Sequence, residues 1–370
     1  MPYIVPDKVV EPLYAIVPLS NPWRWKARWK HVERSIKHFM DSGAVVVLVE
    51  VAFNRREFAF ANSGLDGTPA NCGVLGSDHR FRHRYIGLRS SHELWFKENQ
   101  INIAVAQALP YDWQNMCWLD SDLLFLRPNW VGECIHKLQH YDFLQMFDHA
   151  RDVGPNYRVL PGGYPHADGT SWVRWWLDGE PDFSEIAVRK GEDLAIDPKR
   201  RHKKKHHPYP PRVWPGLAWA ATRRGFDAVG GLLDFAIWGG GDYHMAHCLI
   251  ERKDGMMRND LHPNYKMKVM EWFDRCQRHI RRNVGVMEGS VFHFWHGRKT
   301  DRGYNAKHAA LARIGFDPLR HLKRDYQGLY QLNDDGSEGF VQMRDTLRRV
   351  AIERDEDSND TRLDLWDQGH

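Results

Sequence analysis

Three short apolar runs, separated by stretches of helical periodicity, constrain the fold of this chain most strongly. The runs comprise residues 13–17, 44–49 and 115–119, and the second is a continuous β-branched stretch typical of a parallel strand covered on both faces. Between them, apolar residues recur every three or four positions over residues 25–42 and 92–109, as on one face of a helix. This alternation predicts a parallel sheet with ligands at the carboxyl ends of its strands.

The third run delivers two aspartates to the end of its strand. Asp120 and Asp122 are two positions apart, so their side chains project to the same side if the strand continues through them. Two like charges repel there, and a hard divalent cation such as Mg²⁺ or Mn²⁺ removes the repulsion while keeping positions for substrate phosphates. Taken alone, Asp-Ser-Asp is more often a turn, and only the sequence on both sides favours a metal site.

The ends of the first two strands offer further candidate contacts. Pro18 lies where the first strand passes into a helix, with Ser20 and Asn21 as candidate N-caps. Glu50 ends the second strand, where an acid can contact a ribose or base, although a solvated carboxylate is equally expected. Residues 54–92 are rich in Gly, Asn, Arg and His and are predicted to be mostly loop. Neither a P-loop nor a Gly-x-Gly-x-x-Gly turn is present, which argues against kinases and dinucleotide folds of those types.

Three later segments carry a resemblance. They are Leu94-Trp-Phe-Lys97 through Asp122, Pro215 through the Trp238-Gly-Gly-Gly-Asp242 run, and Val291 through Lys299. In this order they resemble nucleotide-sugar-dependent glycosyltransferases of the GT-A fold. The resemblance implies an α/β chain with a GT-A-like, Rossmann-type mixed sheet flanked by helices, in one large domain with a C-terminal helical extension. It also implies Mn²⁺ or Mg²⁺ as cofactor and a nucleoside-diphosphate sugar, most commonly of UDP, as donor.

The resemblance assigns roles to particular residues. Asp122, with Asp120, would bind the metal, and His293 or His296 would complete its shell. Because these histidines are three apart, they face opposite ways in an ideal strand and only one points readily at the metal, with His293 favoured. The remaining contacts to the donor would come from Pro18, Glu50, Lys97, Asn102, Asp120, Trp219, Trp238, Arg298 and Lys299.

Asp242 follows three glycines and is the candidate catalytic base. Glycines let an acceptor approach the backbone closely, and a carboxylate there could take the proton of the attacking hydroxyl. Its alternative role is a helix N-cap, for which Asp is a favoured residue. Trp219 and Trp238 are candidate stacking faces for sugars, with core packing as the default alternative.

The chain divides into four segments by composition: residues 1–150 for nucleotide-sugar binding, 151–214 as a long basic insertion, 215–305 for the acceptor and metal completion, and 306–370 as helices with an acidic, frayed tail. The basic run at 199–207 would attract polyanions, although a solvated insertion is the more expected explanation. If it is functional, the acceptor is anionic: a modified DNA base or a phosphorylated glycan.

The cysteine content and the absence of long apolar stretches predict where in the cell the protein is located. Five scattered cysteines without a Cys-x-x-Cys pair, no apolar stretch of membrane-spanning length and no signal-peptide layout predict an intracellular, cytoplasmic protein without a membrane span. Two other classes remain open. One is a nucleic-acid-binding protein with structural aspartates, and the other is a metal-dependent nuclease or phosphohydrolase that uses the same acidic pair.

Overall fold

The fold was analysed from a computed structural model that describes residues 11–70, 78–160, 168–180, 213–297 and 304–358. Its strands are β1 (Leu13–Ser20), β2 (Val45–Phe53), β3 (Arg84–Ser90), β4 (Asn115–Leu119), β5 (Leu123–Phe125), β6 (Phe143–Gln145), β7 (His149–Asp152), β8 (Asp168–Ser171), β9 (Val213–Trp214), β10 (Ala218–Thr222), β11 (Val284–Val286), β12 (Ser290–His293), β13 (Leu322–Arg324) and β14 (Tyr330–Leu332). Its helices are α1 (Lys26–Asp41), α2 (Lys97–Ala108), α3 (Trp130–Leu138), α4 (Trp172–Leu177), α5 (Arg223–Val229), α6 (Gly241–Leu249), α7 (Pro263–Arg275), α8 (Tyr304–Ile314), α9 (Pro318–His321) and α10 (Glu338–Glu353), with a 3-10 turn at His79–Phe81 and a π-helical turn at Cys276–Ile280.

Two sheets organise the described residues. The first has seven strands in the order β3-β2-β1-β4-β10-β6-β11, of which β3, β2, β1 and β4 are mutually parallel and β10 runs antiparallel to both its neighbours. The second has five strands in the order β5-β12-β7-β8-β9, and β13 pairs with β14 as a separate hairpin. The mixed α/β sheet flanked by helices confirms the predicted fold class.

Helices cover both faces of the parallel strands. Alternate residues of β1 and β2 enter two different cores: Ile16 and Val47 pack with Ile101 of α2, whereas Ala15 and Leu48 pack with residues of α1. Every residue of β2 is buried, which explains why its sequence is almost continuously apolar.

Several boundaries differ from the sequence expectations. β1 runs on through Pro18, β2 continues three residues past Glu50, and the segment predicted to be mostly loop contains β3. Within residues 151–214, the described part includes β8 and α4 as well as loop.

The start of α1 and the end of the chain differ most. α1 begins at Lys26 rather than beside Pro22, and its first backbone N–H groups, those of Lys26 and Ala27, donate to the carboxylate of Asp357 at 2.9 and 2.7 Å. The prediction of a frayed acidic tail is therefore wrong for residues 354–358, which pack against the first helix. The charges at 356 and 357 make specific ion pairs and caps instead of repelling in solvent.

The described cysteines, Cys117, Cys134, Cys248 and Cys276, are free thiols and buried. None of the helices in the described part of the chain has the length and apolar character needed to cross a bilayer.

Candidate metal centre and the adjoining acidic cluster

The Asp-Ser-Asp segment is a turn that connects the two sheets. It leaves β4 of the seven-stranded sheet and enters β5 of the five-stranded sheet. The N–H of Asp120 donates to the carbonyl of Leu217 at 2.9 Å, and the carbonyl of Asp122 accepts from the N–H of Phe294 at 2.8 Å. The side chain of Asp120 contacts Lys97 and that of Asp122 contacts His296, whereas a continuing strand would have directed both side chains to one side.

Asp122, His293 and His296 form a cluster with the dimensions of a metal site. One ligand atom from each of the three lies within 4.8 Å of the other two. Oδ1 of Asp122 is 3.8 Å from Nε2 of His293, and Oδ2 is 3.0 Å from Nδ1 of His296. Oδ1 of Asp122 is buried and accepts no hydrogen bond from the described residues. A buried carboxylate oxygen without a donor is costly, and a cation at this position would satisfy it.

Burial alone would raise the pKa of Asp122, but His296 and His293 outweigh it and hold that pKa well below its usual value. The cluster thus keeps an ionised carboxylate between two imidazoles, which is a mixed oxygen and nitrogen donor set.

Sequence reasoning missed Asp152, which orients His293. Oδ1 of Asp152 accepts a hydrogen bond from Nδ1 of His293 at 2.5 Å. The two residues are register partners on the parallel strands β7 and β12, and Leu123 is opposite His293 on β5. With Nδ1–H turned to Asp152, Nε2 faces Asp122, an arrangement that usually supports a metal-binding histidine. No local motif marks Asp152, because only the strand register brings it to His293.

The expectation that His293 and His296 face opposite ways is wrong, because both lie against the carboxylate of Asp122. β12 ends at His293, so strand alternation does not apply across the next three residues. Nδ1 of His296 also lies 3.1 Å from the carbonyl of Phe294, so a local bend turns His296 back to Asp122.

A second cluster adjoins the turn and is centred on Lys97 at the start of α2. The Nζ of Lys97 lies 2.5 Å from Oδ1 of Asp120 and 3.8 Å from Oδ2 of Asp242, and the residue is 9% exposed. Burial opposes the ammonium charge, yet Asp120 and Asp242 together raise the pKa of Lys97. Burial raises the pKa of Asp120 in turn, although Lys97 opposes this. Lys97 therefore links the first aspartate of the turn to the predicted catalytic carboxylate.

Asp242 lies in the first turn of α6 and is not its N-cap, because that position is Gly240, at a left-handed φ of 89°. Its Oδ1 accepts a hydrogen bond from the N–H of Tyr243 at 2.8 Å. Its Oδ2 fits against Gly216 so closely that a Cβ there would approach it to 2.2 Å. Glycines on both sides thus let this carboxylate reach Lys97.

Glu98 was not anticipated as part of this cluster. It is 2% exposed, and its Oε1 is buried without a hydrogen-bond partner in the described structure. Its carboxyl packs beneath Gly241, where a Cβ would come within 2.8 Å of it. Burial raises the pKa of Glu98 to about 8, against an opposing effect of Lys97, so the carboxyl is largely protonated at neutral pH.

The other predicted donor contacts lie near this edge or in the core. Pro18 is half-buried within β1. Both oxygens of Glu50 accept hydrogen bonds inside the chain, from the N–H groups of Ala59 and Phe60 and from the Tyr85 hydroxyl.

Asn102 uses its amide to hold the loop at Leu232, donating to the carbonyl and accepting from the N–H. Trp219 is buried, stacks on Trp118 and donates to the carbonyl of Pro215. Trp238 is also buried, and its Nε1 has no hydrogen-bond partner among the described residues. Contacts of these residues with a nucleotide sugar stay predictions, while Arg298, Lys299 and the basic run at 199–207 lie outside the described residues.

No protein-family description matches the sequence, and no curated protein matches it either. Solved structures do align with the chain. Glucosyl-3-phosphoglycerate synthase from Mycobacterium tuberculosis, in complex with Mn²⁺, UDP and glucosyl-3-phosphoglycerate, aligns over 84% of this chain and 78% of its own at 10% identity, with a TM-score of 0.33. The catalytic domain of Drosophila β1,4-galactosyltransferase 7, in complex with xylobiose, aligns over 91% of this chain and 99% of its own at 12% identity, with a TM-score of 0.35.

Another structure of the mycobacterial synthase contains Mg²⁺ and UDP. These proteins are transferases of the class that the sequence motifs resemble. At this level of similarity, the activity of the present chain has to be inferred from its own side chains.

Proposed function

We propose that this chain is a metal-dependent glycosyltransferase that moves a sugar from a nucleoside diphosphate, with UDP as the first candidate, to an acceptor hydroxyl. The observation that carries the proposal is the buried, unpartnered Oδ1 of Asp122 between His293 and His296, next to the cluster of Asp120, Lys97 and Asp242. Asp120 and Asp122, one in each cluster, lie in the turn that follows β4, one of the parallel strands of the larger sheet, and the carboxyl ends of such strands are the usual place for ligands.

The donor set fits a divalent cation. Asp122, His293 and His296 would hold it, with Asp152 orienting His293. Imidazole ligands suit transition metals better than Mg²⁺, so we expect Mn²⁺ to bind more tightly than Mg²⁺. When bound, the cation supplies Lewis-acid stabilisation of charge on the departing phosphate oxygen.

The protein groups would act on the acceptor and on the sugar. In the transfer, a bond forms between the acceptor oxygen and the anomeric carbon, and the bond from that carbon to the phosphate oxygen breaks with its electron pair. Asp242 would take the acceptor proton, and this role favours inversion of the anomeric configuration. Lys97 would hold Asp120 and Asp242 at a fixed separation, so that the donor and acceptor sides are positioned together.

The basic run at 199–207 supports an anionic acceptor, either a phosphorylated glycan or a modified base in DNA. The scattered cysteines of the sequence support an intracellular, cytoplasmic location.

A thermal-shift experiment tests the proposal directly. The protein is heated with Mn²⁺, Mg²⁺ or Zn²⁺, each with and without UDP, GDP or CDP. We expect an upward shift that requires both a metal and one of the nucleotides, and we expect Asp122→Asn to abolish it. A shift that survives in Asp122→Asn would remove this residue from the metal site. Phosphate release or strand cleavage without a sugar donor would instead indicate a phosphohydrolase or nuclease, and salt-sensitive nucleic-acid binding indifferent to metal and nucleotide would indicate a binding protein.

A further inference from the structure

The C-terminal segment, residues 354–358, packs beside the candidate metal centre. The carboxylate of Asp357 accepts hydrogen bonds from the first N–H groups of α1. The carbonyl of Ser358 accepts a hydrogen bond from Nε1 of Trp295 at 2.7 Å. Trp295 directly precedes His296. The segment therefore contacts both the helix after β1 and the strand end that supplies the histidines.

Glu356 is the centre of these contacts and is 1% exposed. Its Oε2 accepts a hydrogen bond from Nε of Arg28 at 2.7 Å, and its Oε1 accepts one from Nη2 of the same guanidinium. Nε of Arg354 lies 3.1 Å from Oε1. A two-point contact fixes the plane of a guanidinium as well as its position. One carboxylate thus pairs with two arginines and cancels only one of their two charges.

One face of α1 lies against the segments that carry the metal-site residues, and Arg28 is on that face. Residues 28, 31 and 35 are spaced three and four apart, so they lie on the same face of the helix. The hydroxyl of Ser35 donates to the carbonyl of Leu123, the residue after Asp122, at 2.9 Å. His31 contacts the carbonyl of Trp295 through Nε2. Arg28 is one turn earlier on that face. Burial opposes its charge, but Glu356, and then Asp122 and Asp120, raise the pKa of Arg28 above its usual value.

A guanidinium close to a divalent cation is unfavourable unless an anion lies between them. Two positive groups repel most strongly where water is excluded. A diphosphate removes the conflict, because its oxygens can bind the cation on one side and accept hydrogen bonds from the arginine on the other.

We propose that Arg28, positioned by Glu356 of the C-terminal segment, binds the diphosphate group of the substrate. The inference rests on the proposed function for the identity of the nucleotide, but the anion site itself does not require sugar transfer. Arg28 is the binding residue and Glu356 is a positioning residue that acts through it. The end of the chain is then part of the donor site.

The test compares Arg28→Gln and Glu356→Gln with the unaltered protein by calorimetric titration. The probes are Mn²⁺ alone, and then pyrophosphate, UDP and uridine, each at saturating Mn²⁺. For Arg28→Gln we expect Mn²⁺ to bind at least as tightly as before, UDP and pyrophosphate to bind more than tenfold more weakly, and uridine to be unaffected. Glu356→Gln should weaken the binding of pyrophosphate and of UDP by a smaller factor, because the guanidinium of Arg28 remains but is held less firmly.

Asp142→Asn is the matched control, since it removes one charge from a buried carboxylate that pairs with Arg224 just before β6 and makes no hydrogen bond or ion pair with the metal-site residues in the described part of the chain. It should leave all four affinities unchanged. Equal diphosphate binding by Arg28→Gln and the unaltered protein would overturn the proposal, as would failure of the unaltered protein to bind pyrophosphate with Mn²⁺. If the unaltered protein binds pyrophosphate but not UDP, the proposed function is contradicted, whereas the proposed anion site is not.

Discussion

Asp152 and His293 meet at 2.5 Å between Oδ1 and Nδ1, across two parallel strands whose register pairs the two residues directly. This contact fixes which ring nitrogen of His293 faces Asp122. We expect Asp152→Asn to weaken Mn²⁺ binding about 10- to 100-fold while the protein stays folded. Calorimetry measures the affinity, and circular dichroism checks the fold. Asp168→Asn, which alters a half-buried carboxylate on the neighbouring strand β8 that pairs with Arg151, is the control and should bind Mn²⁺ normally.

Asp242→Asn tests the proposed base. The amide keeps the shape and can still accept from the N–H of Tyr243, but it cannot take a proton. We expect kcat to fall about 10²- to 10⁴-fold, with UDP affinity in Mn²⁺ changing less than about twofold. Initial rates at saturating donor and a UDP titration measure the two quantities. Asp254→Asn, on an exposed turn, serves as the control. Undiminished turnover in Asp242→Asn would exclude it as the base.

Lys97→Met tests the ion pair between the donor and acceptor sides. Removing the ammonium leaves Asp120 and Asp242 near each other without compensation, and loss of one partner of a buried pair typically costs about 3–5 kcal/mol of unfolding free energy. Urea denaturation measures the loss. Adding Asp120→Asn to Lys97→Met should restore part of it, because the uncompensated charge is then gone. Lys37→Met, which breaks an exposed pair with Asp41, should change stability by less than about 1 kcal/mol.

Glu98→Gln tests the buried carboxyl through the pH dependence of stability. The pKa of Glu98 is about 8 in the folded chain, above its usual value of 4.5, so between these pH values the folded state holds a proton that the unfolded state releases. Stability is therefore lost as pH rises from about 4.5 to 8. Glu98→Gln should remove this pH dependence. At pH 8 the free energy of unfolding of the variant should be on the order of 2–4 kcal/mol higher than that of the unaltered protein, and at pH 4.5 the two should differ little. Denaturation curves at several pH values measure it, and Glu33→Gln on the exposed face of α1 should show no such trend.

The sequence predicted those parts of the structure that depend on local pattern. The apolar runs became β1, β2 and β4, and the acidic pair was placed correctly at the end of β4. Local periodicity failed for β3, because Gly87 and two arginines, Arg84 and Arg89, interrupt the alternation of apolar and polar residues in this strand. It failed again at His296, where a bend outside the strand reverses the direction that alternation predicts.

The residues that the sequence did not predict reach the site through contacts between segments that are far apart in the chain. Asp152 reaches His293 through strand register, and Glu356 reaches Arg28 from 328 residues away in the chain. Neither contact leaves a mark in the neighbouring sequence. Glu98 was visible as an acid on a predicted helix, but only the close approach of Gly241 shows that it is buried.

Only Ser121 separates the two aspartates of the turn, yet Asp120 is tied to the seven-stranded sheet and Asp122 to the five-stranded one. In the proposed transfer, the spacing between the departing phosphate and the incoming hydroxyl would therefore depend on the relative position of the two sheets. If the proposed function holds, a core substitution that shifts one sheet relative to the other would slow turnover even when metal and nucleotide still bind.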